Sequence, residues 1–158
     1  MRLLRLARGF SLLGHRDQVR LAAAWSLLGL TRMMILALPF SVVRRLLGER
    51  RDPRTQPGPP QLTDDVLTRA ARIGITVALA ARHTPWRSEC YPQALTARVL
   101  LGVARIPHVV SFGVRRDGDA LVAHAWVHAG TVTVTGGSGH DWTEVGTYAW
   151  APRNRTSG

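Results

Sequence analysis

The chain has 158 residues, of which 46% are hydrophobic and 20% are charged. This length indicates one domain with at most a small appendage, and this composition excludes wholesale disorder. The single cysteine excludes an internal disulfide and a multi-cysteine zinc site. With no clear export signal, a lone thiol favours a cytoplasmic, reduced location.

The net charge of +11 is unevenly distributed along the chain. Residues 1–51 contain ten arginines against Asp17 and Glu49, whereas residues 61–158 contain ten arginines against seven acids. A basic N-terminal part suits an acidic peptide, a nucleic acid or a membrane surface as partner. A solvated helix face explains the same charges equally well.

Residues 21–43 are the most apolar stretch, but they do not have the pattern of a membrane-spanning helix. Arg32 divides them into two uncharged runs of eleven residues, and Pro39 interrupts the second run. A spanning helix needs roughly 20 predominantly apolar residues, and a central arginine costs about 2.5–3.5 kcal/mol on insertion scales. We therefore expect helices that pack on the protein or on a partner, with peripheral membrane contact as the second possibility.

Composition divides the chain into four parts. The first, residues 1–47, is a basic apolar helical segment, helical over 16–47 with a break near Pro39, and is predicted to dock a partner or a precursor. The Pro/Gly-rich residues 48–60 are a linker, residues 61–150 form the core domain, and residues 151–158 are a disordered tail.

Two helices are predicted at the start of the core domain. The first begins at Thr63, which is a good N-cap residue, and its apolar positions recur at helical spacing: Val66, Ala70, Ile73, Val77 and Ala81. The second covers roughly 91–104, with Pro92 in its first turn, where a missing N–H does not break a helical hydrogen bond.

Strands follow the helices. Residues 108–114, 121–129 and 131–137 alternate or are rich in β-branched residues, and residues 144–150 form a possible last strand. The Asp-Gly turn in 115–119 predicts a hairpin between the first two strands. Helices followed by an antiparallel meander indicate the α+β class rather than a doubly wound fold.

The lone cysteine, Cys90, lies at or just before the N-terminus of the second predicted helix. The positive end of the helix dipole stabilises a thiolate there, so Cys90 is a candidate nucleophile. The alternative is an inert, buried structural cysteine.

His124 is the candidate base among the six histidines because it lies in the middle of a predicted central strand. It shares one strand face with Trp126 and His128, and where this face opposes the helix that carries Cys90, the imidazole is set against the thiol. The alternative is a hydrogen-bonded core histidine. A metal site is not expected, because His124 and His128 are about 13 Å apart along a strand, and no cofactor is expected.

The order and spacing of several motifs resemble a known family. The segment "SECYPQALTARVLLGVARIP" contains C-x-x-Q-A-L and is followed by a "GV" strand, then "AHAWV", then "VTVTGG". Over about residues 63–150 this combination resembles the transglutaminase-like leader peptidases of lasso-peptide biosynthesis. The resemblance implies a papain/transglutaminase-like core, in which a helix bearing Cys90, the nucleophile, packs on an antiparallel sheet bearing His124, the base.

The third catalytic residue is where the sequence departs from this family. Its members often have an aspartate about a dozen residues after the histidine, but here that region reads Thr135, Gly136 and Gly137. Asp141 is the candidate to orient the imidazole. A backbone carbonyl or Thr135 are alternatives that would leave a Cys–His dyad, and Asp141 would then be an ordinary turn residue.

The resemblance implies a cysteine peptidase that removes the leader from a ribosomally made lasso-peptide precursor. It also implies a separate small leader-recognition protein as partner and a cyclase that acts on the product. Two alternatives stay open: a transglutaminase-like acyl transferase acting on a peptide, and a non-catalytic basic binding protein.

Overall fold

The computed structural model describes residues 14–43, 45, 47, 49–51 and 61–152. Within these residues, helices pack on one face of a five-stranded antiparallel sheet. This arrangement confirms the predicted α+β class. Residues 1–13 of the predicted N-terminal segment, most of the predicted linker and most of the predicted tail lie outside the described residues.

The N-terminal part contains a long helix, α1 (His15–Ala37), and a short helix, α2 (Phe40–Val43). The two are separated at Pro39, where the sequence predicts a break. Helix α1 buries only Ala24, Leu28 and Thr31, yet the Thr31 hydroxyl lies 3.3 Å from that of Thr96 and 3.4 Å from the carbonyl oxygen of Pro92. These contacts fix α1 on the helix that begins with Cys90.

The outer side of α1 is apolar and exposed. Leu30, Met33 and Leu36 each have 63–69% of their surface exposed. Contrary to the expectation from Arg32, α1 is long and apolar enough, by length and composition alone, to cross a membrane, the one such helix among the described residues, and 17% of its most apolar window is buried against the protein. One side of α1 therefore packs on the core as predicted, and the other is left uncovered within the described residues.

The core domain begins with α3 (Asp64–Arg82) and α4 (Cys90–Val103), close to the predicted bounds. Helix α3 buries Ala70, Gly74, Val77 and Ala80. Thr63 is the N-cap residue of α3, as predicted, but its side chain makes no capping hydrogen bond. The start of α3 instead has Asp64 and Asp65 in its first turn, where carboxylates stabilise the helix dipole.

The sheet has the strand order β1-β5-β2-β3-β4, and every neighbouring pair is antiparallel. Four strands were predicted: β2 (His108–Asp117), β3 (Ala120–Ala129), β4 (Val132–Thr135) and β5 (Thr143–Trp150). The fifth, β1 (Glu49–Arg51), lies inside the predicted linker and pairs with β5 at the sheet edge. Three charged residues have no strand pattern of their own, so only the pairing with β5 defines β1.

The two faces of the sheet have different surroundings. Ala125, Val127 and Ala129 belong to the main core together with residues of α3 and α4 such as Val77 and Leu95. Because strand side chains alternate, the His124 side chain points to the opposite face of β3. The Ala125 face therefore packs on the helices, whereas an arrangement with the imidazole against the thiol requires the His124 face to do so.

His108, the first residue of β2, is a buried titratable group. Its Nδ1 lies 2.8 Å from the carbonyl oxygen of Ile106, and its ring stacks on Trp150 with centroids 5.3 Å apart. Burial is the main cause that lowers the pKa of His108 to about 4, and the nearby charge of Arg98 lowers it further. The folded protein therefore favours neutral His108.

This burial predicts acid lability. Between about pH 6.5 and pH 4 the unfolded state binds a proton that folded His108 does not, so stability falls as the pH drops through this window. His108→Phe keeps the stack on Trp150 and removes the titration. Between about pH 7 and about pH 4.5, we expect the free energy of unfolding of the variant to fall by about 2–3 kcal/mol less than that of the wild type. Urea unfolding at the two pH values measures this difference.

His83→Gln, at an exposed histidine, is the matched control. Its free energy of unfolding is expected to fall as much as that of the wild type over the same pH range. Burial also lowers the pKa of His128, so some acid lability remains in His108→Phe. An unchanged loss in His108→Phe would contradict the assignment to His108.

Candidate active site

Cys90 is the first residue of α4 and is half-buried. Gln93, in the first turn of α4, stabilises the turn before Cys90, because its side-chain amide donates to the Ser88 carbonyl oxygen at 2.7 Å. Pro92 is buried in the first helical turn, as the sequence predicts. The thiol therefore sits at the positive end of a 14-residue helix, on a turn of defined shape.

The first turn of α4 packs on the β2–β3 hairpin. Tyr91, next to Cys90, makes an edge contact with Phe112 of β2, with ring centroids 5.4 Å apart. Phe112 pairs with Ala125 of β3, and the next pair along the hairpin is Gly113 with His124. The structure thus places the start of α4 against the strand pair that carries His124, on the Ala125 face, while His124 lies on the other face at the middle of β3. Among the described residues, no hydrogen bond joins the Cys90 thiol to the His124 imidazole.

The His124 imidazole is held on three sides. Its Nε2 lies 2.6 Å from the carbonyl oxygen of Gly136, and its ring stacks on Trp142 and, at a longer distance, on Trp126, with centroids 4.7 Å and 6.1 Å apart. Because a carbonyl only accepts, Nε2 carries the proton in this bond, and neutral His124 has its lone pair on Nδ1. In this tautomer Nδ1 is the ring nitrogen that can accept a proton.

Glycines form the surroundings that this bond requires. Gly136 has a φ of 82°, in the left-handed region, and a Cβ there would collide with the Ala125 carbonyl oxygen and with Trp126. At Gly113 a Cβ would lie within 2.9 Å of Trp126 and Trp142. At position 136, therefore, only glycine can bring its carbonyl oxygen to His124. By its residue types alone, this segment is the place where the expected aspartate is missing.

Asp141, the predicted orienting residue, has a different position. It is exposed in the turn that precedes β5, and no hydrogen bond or ion pair of the described residues joins it to His124. Thr135, the other side chain considered, is buried, and its hydroxyl has no hydrogen-bond partner among the described residues. Of the three alternatives left open by the sequence, the backbone carbonyl occupies the place beside Nε2.

Trp142 closes the outer side of the imidazole. Its backbone N–H donates to the Gly139 carbonyl oxygen at 3.1 Å, which folds the 137–142 segment back over the sheet. The guanidinium of Arg115 lies 4.6 Å from the Trp142 ring centroid, in the geometry of a cation–π contact. The sequence offered no signal for Trp142, because its role depends on this loop conformation. Sequence reasoning therefore missed a residue that contacts the candidate base.

The sheet also carries His128, on the same face as His124 and four residues further on. Burial is the largest cause that lowers its pKa, so the neutral form is favoured there as well. In the part of the chain that the structure describes, no three His, Cys, Asp or Glu side chains are grouped as metal ligands.

Comparison with protein families gives one match. The model described as "Transglutaminase-like superfamily" matches residues 34–148, which is more than half of the chain. No curated protein and no solved structure matches the chain. Domains of this superfamily are typically enzymes, either cysteine proteases or transglutaminases, which supports an activity of cysteine-protease or acyltransferase type.

The glycine requirement predicts different effects for two neighbouring substitutions. Gly136 and Gly137 both have positive φ, but a Cβ at Gly137 would meet nothing within 4 Å. Gly137→Ala should cost about 1–2 kcal/mol of unfolding free energy from backbone strain alone. Gly136→Ala should cost about 1–3 kcal/mol more, because it also overpacks Trp126.

Urea unfolding of both variants measures this difference. Gly137→Ala is the matched control, since it makes the same chemical change at the next residue. Equal losses in the two variants would contradict the close packing of Gly136 against β3.

Proposed function

The chain belongs to the transglutaminase-like superfamily, and from this premise we propose that it is a cysteine peptidase that removes the leader from a ribosomally made lasso-peptide precursor. The observation that carries the proposal is the position of its only cysteine at the N-terminus of α4, beside the hairpin that holds His124. The motif order from Cys90 to Gly137 supports the choice of substrate class.

Cys90 and His124 are proposed as a Cys–His dyad. The Nδ1 of His124 takes the thiol proton, while the Gly136 carbonyl keeps the other ring nitrogen protonated. This assignment requires the thiol at the start of α4 to reach Nδ1 of His124, which lies at the middle of β3 on the other face of the sheet. A neutral carbonyl stabilises an imidazolium less than a carboxylate does, so more of the thiolate stabilisation must come from the N-terminus of α4.

The reaction then proceeds by acyl transfer through sulfur. The thiolate attacks the carbonyl carbon at the leader–core junction, and the backbone N–H of Cys90 donates to the oxyanion. The C–N bond breaks, and the imidazolium gives its proton to the leaving amine of the core peptide. Water, deprotonated by His124, hydrolyses the thioester, releases the leader carboxylate and restores the thiol.

The proposed partners follow from the substrate class. A separate small leader-recognition protein presents the precursor, and a cyclase uses the freed amine of the core peptide. The exposed apolar side of α1, with Leu30, Met33 and Leu36, supports a docking role for the N-terminal segment. An apolar side with nearby arginines also suits peripheral contact with a membrane surface. The proposed location is the cytoplasm, where a lone thiol stays reduced.

An acyl transferase is the second candidate, because the superfamily includes transglutaminases. The same two residues would form the same thioester, and an amine would replace water as the acceptor. Product mass separates the two reactions, since hydrolysis yields two fragments and transfer joins the acyl group to the amine.

The dyad predicts how the thiol reacts. Because Cys90 is the only cysteine, every label that iodoacetamide places on a thiol reports on this residue. His124→Ala should slow alkylation about tenfold or more at about pH 6.5, since the thiolate loses its base. His128→Ala, on the same face of the same strand, is the matched control and should label at the wild-type rate. Equal rates in all three proteins would contradict the dyad.

The peptidase proposal predicts the outcome of a cleavage assay with the precursor and recognition protein encoded nearby. Cys90→Ala should abolish cleavage, and His124→Ala should lower the rate about 10²–10⁴-fold. Asp141→Asn should stay within about twofold of the wild type, because Asp141 does not contact the imidazole. Cleavage by Cys90→Ala would refute the thiol mechanism, and a large loss in Asp141→Asn would restore Asp141 as the orienting residue.

A further inference from the structure

We propose that the helical layer carries a second site, which binds an acidic, amphipathic peptide segment. The site is a cavity of about 240 Å³ between α1, α3 and α4. Its rim includes Arg20, Arg69 and Arg72, and its apolar wall includes Ile73, Leu100 and Val103. The inference does not depend on the reaction proposed for Cys90.

The positive charge of the rim indicates a negatively charged ligand. Three arginines from two helices line the cavity, and no acidic residue lines it. In the described part of the chain no ion pair joins Arg69 or Arg72 to a carboxylate, whereas Arg20 pairs with Asp17 at 3.3 Å. Arginine binds carboxylates through two parallel hydrogen bonds, so this rim suits glutamate or aspartate side chains.

Arg69 is positioned across the cavity. Its guanidinium donates to the Ala104 carbonyl oxygen, just beyond the C-terminal end of α4, at 3.4 Å. This bond uses one of its five N–H donors and leaves the others available to a ligand. The Arg69 guanidinium is therefore bonded next to the end of α4, which contributes Leu100 and Val103 to the apolar wall.

The size and chemistry of the cavity indicate a peptide rather than a membrane or a nucleic acid. Its volume is below the roughly 300–1,000 Å³ of sites for drug-sized ligands, which suits an anchoring apolar side chain. Val103, on the wall, is 80% exposed, so apolar surface remains for a partner to cover. A bilayer requires a protruding apolar face rather than a concavity. Binding of single-stranded nucleic acid uses aromatic stacking, and no aromatic residue lines this cavity.

The site is remote from the candidate catalytic residues. Cys90 begins α4, and Val103 ends it, so the two are about 20 Å apart along the helix at 1.5 Å per residue. A segment bound at the cavity therefore leaves the Cys90 end of the helix open. Binding is expected to be the same in wild type and in Cys90→Ser, which separates failure of this inference from failure of the peptidase proposal.

The test is fluorescence anisotropy with a fluorescein-labelled Glu/Leu peptide whose leucines recur at helical spacing. We expect the full chain to bind it, and Arg69→Gln/Arg72→Gln to weaken binding about tenfold through two lost ion pairs. Arg82→Gln/Arg116→Gln is the matched control, because it removes the same charge from exposed positions outside the cavity. The affinity of the control variant for the peptide should stay within about twofold of that of the wild type.

Three outcomes would overturn the inference. The first is no binding of the Glu/Leu peptide by the wild type. The second is equal weakening in the two double variants, which would indicate unspecific attraction to the net charge. The third is that binding of phosphatidylglycerol/phosphatidylcholine vesicles depends on Arg69 and Arg72 while binding of the peptide does not. That result would make the cavity a lipid site. Circular dichroism establishes that both double variants are folded.

Discussion

The hydrogen bond from His124 to the Gly136 carbonyl oxygen is the interaction on which the candidate site depends. It joins the middle of β3 to the loop after β4, across a distance of 2.6 Å. Trp126 packs below this bond and Trp142 covers the imidazole, so the ring has one defined orientation. Gly136 permits the approach, because any side chain there would collide with β3. Backbone geometry at one glycine thus fixes a side chain twelve residues earlier.

A carbonyl in this place changes the chemistry of a thiol site. A carboxylate would both orient the imidazole and stabilise its positive form, whereas a carbonyl orients it and contributes less charge stabilisation. The first turn of α4 then supplies positive potential at Cys90. Tyr91 and Phe112 fix this turn against the hairpin, so core packing positions the thiol. Sheet and helix therefore contribute separately to the proposed dyad.

Much of the fold was predictable because it depends on local patterns. Apolar periodicity predicted α3, and Pro92 placed the start of α4 to within one residue of Cys90. Strand β1 was missed because only its pairing with β5 defines it. The role of Gly136 was left as one of three alternatives, since a backbone acceptor has no residue type by which sequence can identify it. The position of Trp142 over His124 depends on a loop conformation, which no periodicity reveals.

The central claim is that Gly136 holds the proton of neutral His124 on Nε2. The most direct measurement is a long-range ¹H–¹⁵N correlation spectrum of the protein with ¹⁵N-labelled histidine, which distinguishes the two neutral tautomers. The account predicts that His124 carries its proton on Nε2 in the wild type and in Gly137→Ala, and loses this preference in Gly136→Ala. A proton on Nδ1 in the wild type would contradict it, because the base would then face the carbonyl rather than the thiol.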